Sequence, residues 1–519
     1  MTTRAAFVVA LGCGAAPVFA QGGPGSLAAE TSFVQVSDRK IGEMVVADVD
    51  GDGRDDLVLA TEGDDLRTRK LEVWLRRAGT PAFAATPDQS FDVVRDVVAF
   101  AAADVHPHPG REIVLFSPAL AVAIWRDAAS EESKLARIAG IELLWQPPNP
   151  PHTYWLDRAV VDVNADGLDD LVLPEPDSYR VLVQSRGQDG VASFAAHVLA
   201  VPPARADLRD ASTARLRAQG DSIRLRLRDQ DRTRLDFVVE VDESVPVPTC
   251  ADWDGDGDRD VIALVERMLC VWRWDGAFTR EPSLTCALPA RASSVLDPSQ
   301  SAQVHDLDGD GRLDVVAVNG RIEDDDARSW VDVLLQTAAG DLPAEPTDRL
   351  MLKGFAAPPR FEDVDGDGRP DLVAGTLRTD LIGQLGNGGS GRVDAQVNVF
   401  LNRFEPGGGR FARPVALAEL VQLPSDVLRG RVRRRSVASF LVDLDGDGLR
   451  DFVQRTDATR VQVRRTKRDG EGLALGEVLW SASVNERATV LPLVSEGGIT
   501  LWIQEARQVM HVVLTRSAR

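Results

Sequence analysis

Asp306-Leu307-Asp308-Gly309-Asp310-Gly311-Arg312-Leu313-Asp314, running into Val315-Val316-Ala317-Val318, is the stretch on which the reading of this chain turns. Acids stand at positions 1, 3, 5 and 9, glycine stands at position 6, and a β-type apolar run follows. The nine-residue pattern returns with first positions at Asp48, Asp162, Asp252, Asp363 and Asp443. A degenerate copy, Asp104-Val105-His106-Pro107-His108-Pro109-Gly110-Arg111-Glu112, lies between the first two.

The spacing is that of a calcium loop. Oxygen ligands at positions 1, 3 and 5 converge where the backbone turns tightly, and the glycine at 6 supplies the positive φ that the turn needs. By analogy with other calcium loops, position 7 offers its backbone carbonyl and the acid at 9 closes the shell. The candidate metal ligands are therefore Asp48, Asp50, Asp52, Arg54 and Asp56 in the first loop; Asp162, Asn164, Asp166, Leu168 and Asp170 in the next intact one; and Asp252, Asp254, Asp256, Asp258 and Asp260 in the third. The remaining three supply Asp306, Asp308, Asp310, Arg312 and Asp314; Asp363, Asp365, Asp367, Arg369 and Asp371; and Asp443, Asp445, Asp447, Leu449 and Asp451. An all-oxygen set suits Ca2+ over zinc or copper, so about six calcium sites are expected. A metal-free Asp-Gly turn is the alternative, but four carboxylates within a few ångströms repel one another unless a cation neutralises them. An EF-hand needs Glu at position 12 and flanking helices. Position 12 is instead Leu59, Leu173, Ala263, Ala317, Ala374 or Gln454, which excludes it and a dockerin-like loop together.

First positions recur at intervals of 56, 58, 90, 54, 57 and 80 residues. A unit near 56 residues accommodates four short strands and their turns, one propeller blade, with two insertions. Alternation in Val393–Val399, Lys70–Trp74 and Thr459–Val463 agrees with strands. Position 2 of every loop is apolar, as expected where an innermost strand ends between blades.

With these loops, the Asp-Leu-Val-like strands after them and the ending Val399-Phe400-Leu401-Asn402 … Gly409-Arg410-Phe411, the chain resembles the FG-GAP/VCBS repeat family, whose propellers also form integrin α-subunit heads. The resemblance spans nearly the whole chain after the first twenty residues. It implies an all-β propeller with calcium between the first and second strands of each blade, and no single activity, because one fold hosts many.

Seven loops suggest seven blades, yet Thr489–Val494, Ile499–Ile503 and Val509–Leu514 read as three more strands, with Ser495–Gly498 standing where a loop would be. Ser32–Val36 can supply the missing outer strand, closing the ring and removing its open edges. Eight four-stranded blades are therefore favoured, with seven as the alternative, in one propeller over residues 31–519. The long intervals fall near 205–245, where Ser222–Arg228 and Leu235–Val241 read as an inserted hairpin in the third blade, and at 376–392, a Gly-rich loop.

Apolar residues make up 44% of the 519 and charged residues 27%, which excludes a disordered chain. A net charge of −21 excludes nucleic-acid binding by phosphate neutralisation. Residues 1–20 read as a signal peptide ending Val18-Phe19-Ala20, with a lipoprotein signal at Cys13 the weaker rival; beyond them no stretch is apolar enough to span a bilayer. Export to the periplasm, cell surface or medium follows. Cys250, Cys270 and Cys286 then form one disulfide with a spare thiol, or three buried thiols.

In the degenerate loop, Pro109 cannot take positive φ and two histidines replace oxygens, so decay of a loop is preferred to a His106/His108 transition-metal site. Arg429–Arg435 reads as a solvated basic linker before the seventh blade, with an anionic glycan as the alternative partner. Trp74, Trp125, Trp272 and Trp502 lie in strand patterns and are expected in the core. There is no nucleophile elbow, metalloprotease helix or phosphate loop. The expectation is a monomeric, calcium-stabilised interaction or adhesion scaffold for an unknown protein or glycan, without catalytic residues. The competing reading is a polysaccharide lyase or hydrolase on the same scaffold.

Overall fold

The computed structural model describes residues 27–515 apart from 37, 65–67, 80–81, 127–131, 145–151, 157, 188–191, 203–247, 266–267, 289–300, 324–325, 357–358, 378–391, 425–437, 458, 471, 486–487 and 496–497. The signal segment with Cys13, the inserted hairpin, most of the Gly-rich loop and the Arg429–Arg435 run lie outside these.

Period-2 patterning becomes antiparallel strands whose two faces are both buried, because each sheet is packed between two others. Eight blades form a ring, and no helix occurs among the described residues. Blade 1 runs outward from Arg39–Ala47 through Asp56–Gly63 and Arg69–Trp74 to Gln89–Asp92. Blades 2 to 7 repeat that order, their second strands beginning at Glu112, Asp170, Asp260, Asp314, Asp371 and Asp451. Blade 2 gains Tyr154–Trp155, parallel to the inner strand Ala99–Ala103. Blade 3 is complete at Ala200 and blade 4 begins at Thr249, so the segment 203–247 connects two blades rather than interrupting one. The 378–391 segment falls between the second and third strands of blade 6, Asp371–Leu377 and Arg392–Phe400.

Blade 8 is built from both ends of the chain. Thr489–Ser495, Gly498–Gln504 and Gln508–Thr515 are joined by Ala28–Gln35, which pairs from Ala28 opposite Thr515 to Gln35 opposite Gln508. The backbone of Ile41 then donates to the Ala506 carbonyl at 2.8 Å, tying blade 1 to blade 8.

The core lies between blades. Tyr179 of blade 3 meets Trp272 of blade 4 edge-on, centroids 5.7 Å apart, and both are fully buried. Burying such a ring stabilises by about 2–3 kcal/mol. Connections between third and fourth strands overlap the preceding blade. Phe83 packs on Trp502 of blade 8, Phe278 on His197 of blade 3, and Phe404 with Phe411 in the cluster of blade 5. The last two close the hairpin Asn402–Glu405/Gly408–Phe411, the strand-turn ending noted in the sequence. Trp74 and Trp502 are likewise buried, whereas Trp125 is half-buried and stacks on His106 at 4.1 Å.

Candidate metal centres

Every intact acidic loop joins a first strand to a second, so the like-oriented blades present all of them at one end of the ring. Neighbouring loops touch there. The N–H at position 8 of one loop donates to a carbonyl of the preceding loop: Arg111 to Asp48 (2.9 Å), Arg259 to Val163 (2.7 Å) and Arg450 to Val364 (3.0 Å). The approach is close enough that a Cβ on Gly366 would lie 2.0 Å from the Gly448 carbonyl oxygen, at a φ of 73°.

Within a loop the acids have separate tasks. The first Asp caps the turn: Asp306 Oδ1 accepts the Gly309 N–H at 2.8 Å and Oδ2 that of Gly311 at 3.0 Å. The fifth Asp accepts the N–H of position 7, as Asp310 does from Arg312 at 2.9 Å. The ninth is buried at the start of the second strand. Asp314 accepts the Leu307 N–H on Oδ2 at 2.9 Å and the Gln336 N–H on Oδ1 at 2.8 Å. One carboxylate thus ties the loop to the end of the third strand, and Asp56, Asp170, Asp260, Asp371 and Asp451 repeat both bonds. Burial raises these carboxyls, to about 6 at Asp56 and Asp170 and about 7 at Asp260, Asp314, Asp371 and Asp451, against the pull of the two backbone donors.

Positions 1, 3 and 9 converge. In five loops their carboxylates each bring an oxygen within 4.8 Å of the others: Asp48/Asp50/Asp56, Asp252/Asp254/Asp260, Asp306/Asp308/Asp314, Asp363/Asp365/Asp371 and Asp443/Asp445/Asp451. These groups can hold a metal ion. The fifth-position acids lie outside these groups, and no carboxylate group of this kind forms around Asp162 and Asp170, where Asn164 stands at position 3. The donor set fits a hard cation on a further observation. Asp254 Oδ1, Asp363 Oδ1 and Asp365 Oδ1 are buried without a hydrogen-bond partner among the described residues, a costly state for an anionic oxygen unless a cation meets it.

The degenerate loop is built differently. Positive φ falls on Gly110, one residue after Pro109. Glu112 replaces the ninth Asp, accepting the N–H groups of Val105 and His106 at 3.0 Å each, and burial raises it to about 7. His106 is turned onto Trp125 and burial lowers its pKa. Cys250, Cys270 and Cys286 are free thiols, so the expected disulfide is absent among them, but only Cys270 is buried and the expectation of three buried thiols does not hold for the other two.

Residues that sequence reasoning missed surround these groups. Arg273 pairs with Asp254 (2.8 Å), Arg403 with Asp365 and Asp367 (3.4 Å each), Arg450 with Asp363 (3.3 Å), and Arg465 with Asp445. They arrive from third strands, from the 402–411 hairpin or from the next loop, so only strand register could have revealed them. A second cluster gathers by blade 1, where His152 Nδ1 lies 2.5 Å from Glu62 and Nε2 3.4 Å from Glu43.

A sequence model described as an FG-GAP-like repeat matches residues 252–317 and 306–374. The chain thus carries FG-GAP-like repeats across the loops at Asp252, Asp306 and Asp363, consistent with the family that the motifs resemble. No curated protein matches the chain. Among solved structures, similar folds include Sqt1 from Chaetomium thermophilum (11% identity, 89% of this chain and 93% of that one, TM-score 0.40). The WD40 domain of SCAP from fission yeast (11%, 95% and 98%, 0.37) and the Dos1 propeller (10%, 94% and 96%, 0.41) are others.

Proposed function

We propose that the protein is an exported calcium-binding propeller that serves as a non-enzymatic scaffold for a protein or glycan partner. The observation that carries this reading is the fivefold recurrence of the convergent carboxylate group at one end of the ring. Donors are oxygens only, the ligand chemistry of Ca2+. When bound, calcium supplies charge neutralisation, and the chain's own residues do the rest. Asp48, Asp252, Asp306, Asp363 and Asp443 close the turns, and the ninth-position acids lock each loop to its blade. The first twenty residues support export, and a compartment with abundant calcium suits loops of this kind.

The competing reading, a carbohydrate-active enzyme, has one observation in its favour, the His152 cluster with Tyr154 against the ring at 4.6 Å. Both imidazole nitrogens face carboxylates there, so the ring is engaged within the chain. The scaffold reading is therefore the better supported. Equilibrium dialysis of the purified chain against 45Ca tests it: about five ions per chain are expected, and no bound calcium would refute it.

A further inference from the structure

The five carboxylate groups are not equivalent in what surrounds them. In the loop at Asp48, the hydrogen-bond donors that Asp48 and Asp50 meet among the described residues are backbone N–H groups, from Gly51, Asp52 and Gly53. In the loop at Asp306, the same holds for Asp306 and Asp308, the latter accepting from Asp310 and from Gly407 of the overlying hairpin. Arginines inside these two loops, Arg54 and Arg312, form their ion pairs with the fifth-position acids, and Arg54 acts on Asp50 only through space, as the weakest of the influences on that carboxyl.

The other three groups contain an arginine. The third-position carboxylate is paired with Arg273 in blade 4, Arg403 in blade 6 and Arg465 in blade 7. Arg450 adds a second cation to the blade 6 group through Asp363. The second oxygen of Asp365, a residue only 7% exposed, and that of Asp254 remain buried and unpartnered, pointing to a further ligand.

We infer that the ring carries two classes of cation site: two that depend on an outside cation, at Asp48/Asp50/Asp56 and Asp306/Asp308/Asp314, and three in which Arg273, Arg403 and Arg465 act as resident counter-cations. This rests on the calcium reading above. A guanidinium a few ångströms from the ion repels it and occupies one ligand oxygen, so it weakens calcium binding. The same charge relieves carboxylate repulsion without metal, so it steadies the calcium-free loop. Blades 4, 6 and 7 then keep their loops formed when calcium is low, and blades 1 and 5 respond to it.

Calorimetric titration of the full chain with calcium, after EDTA stripping, tests this, with melting in EDTA as a second readout. Wild type is expected to show two tight sites and a weaker class. Arg273→Gln, Arg403→Gln and Arg465→Gln should each tighten one weak site by roughly three- to tenfold and lower the EDTA midpoint. Arg349→Gln, which removes a pair with Asp332, should change no calcium affinity. Should an Arg→Gln chain not fold, loop variants decide: Asp308→Asn should delete a tight site, and Asp365→Asn should leave both. Weaker or unchanged binding in the Arg→Gln chains, or loss of a tight site in Asp365→Asn, would overturn the two classes while leaving calcium binding intact. No heat from wild type would overturn the calcium reading and this assignment with it.

Discussion

Asp371 and Asn402, 31 residues apart, are joined by a 2.7 Å hydrogen bond from the Asn402 N–H to Asp371 Oδ1, while the Asn402 side chain donates to the Leu307 carbonyl of the neighbouring blade at 2.9 Å. A loop acid, a strand end and the adjacent blade are thus fastened at one point. Asp371 Oδ2 also holds the Val364 N–H, so one short carboxylate satisfies both donors.

Asp371→Asn should therefore cost about 2–3 kcal/mol, since its amide nitrogen must face a buried N–H. The exposed fifth-position variant Asp367→Asn should cost well under 1 kcal/mol. Urea unfolding in excess calcium compares them, and equal losses would mean that the ninth-position acid has no special structural task.

The raised carboxyls set a pH dependence. In the folded chain without metal, burial lifts Asp56 and Asp170 to about 6 and Asp260, Asp314, Asp371 and Asp451 to about 7, from an ordinary 3.8. Their contribution to stability is full below about 4 and is lost as pH rises through 6 to 7, because the unfolded chain releases those protons more readily. On the proposed calcium reading the ion would take the proton's place, so the midpoint difference between calcium and EDTA should widen from pH 5 to pH 8, and affinity should rise up to about tenfold per pH unit below the folded pKa. A difference independent of pH would separate these acids from the metal.

Much of this was legible in the sequence. The loops, the strand after each, and the outer strand supplied by Ser32–Val36 follow from local spacing and from the need to cover an edge, and the register of Phe33 opposite Met510 agrees. Less legible was anything set by contacts across the ring. Nothing near Asp365 in the chain announces Arg403, and Asp314 resembles its loop partners in sequence although it is a buried strap to Gln336. Spacing also counted the loop at Asp162 as equal to the others. The structure shows Ala165 there at a φ of 55°, the one non-glycine residue of positive φ among the described residues.

Ala165→Gly should accordingly stabilise the chain by about 0.5–1 kcal/mol, the left-handed penalty relieved less the added entropy of the unfolded glycine. A midpoint raised by a degree or more in a thermal scan is the expected result. A lower midpoint would show that the alanine methyl makes compensating contacts.

Ring closure by Ala28–Gln35 gives a further expectation. A chain starting at residue 38 exposes the paired edge of Gln508–Thr515, and Val34, 2% exposed in the closed ring, leaves an apolar gap. Such an edge recruits other strands. Size-exclusion chromatography should show aggregates or dimers for the truncated chain and a monomer for the chain with the strand. A monomeric, equally stable truncation would contradict the closure.

On the proposed calcium reading, cations at the carboxylate loops hold the ring together. Thermal unfolding of the purified chain without residues 1–20, in 2 mM calcium (about extracellular order) and in excess EDTA, tests it directly. A fall in midpoint of about ten degrees or more on chelation, restored by added calcium but not by magnesium, is the predicted result. Identical midpoints in the two buffers would contradict it and leave the convergent aspartates as turns that fold without metal.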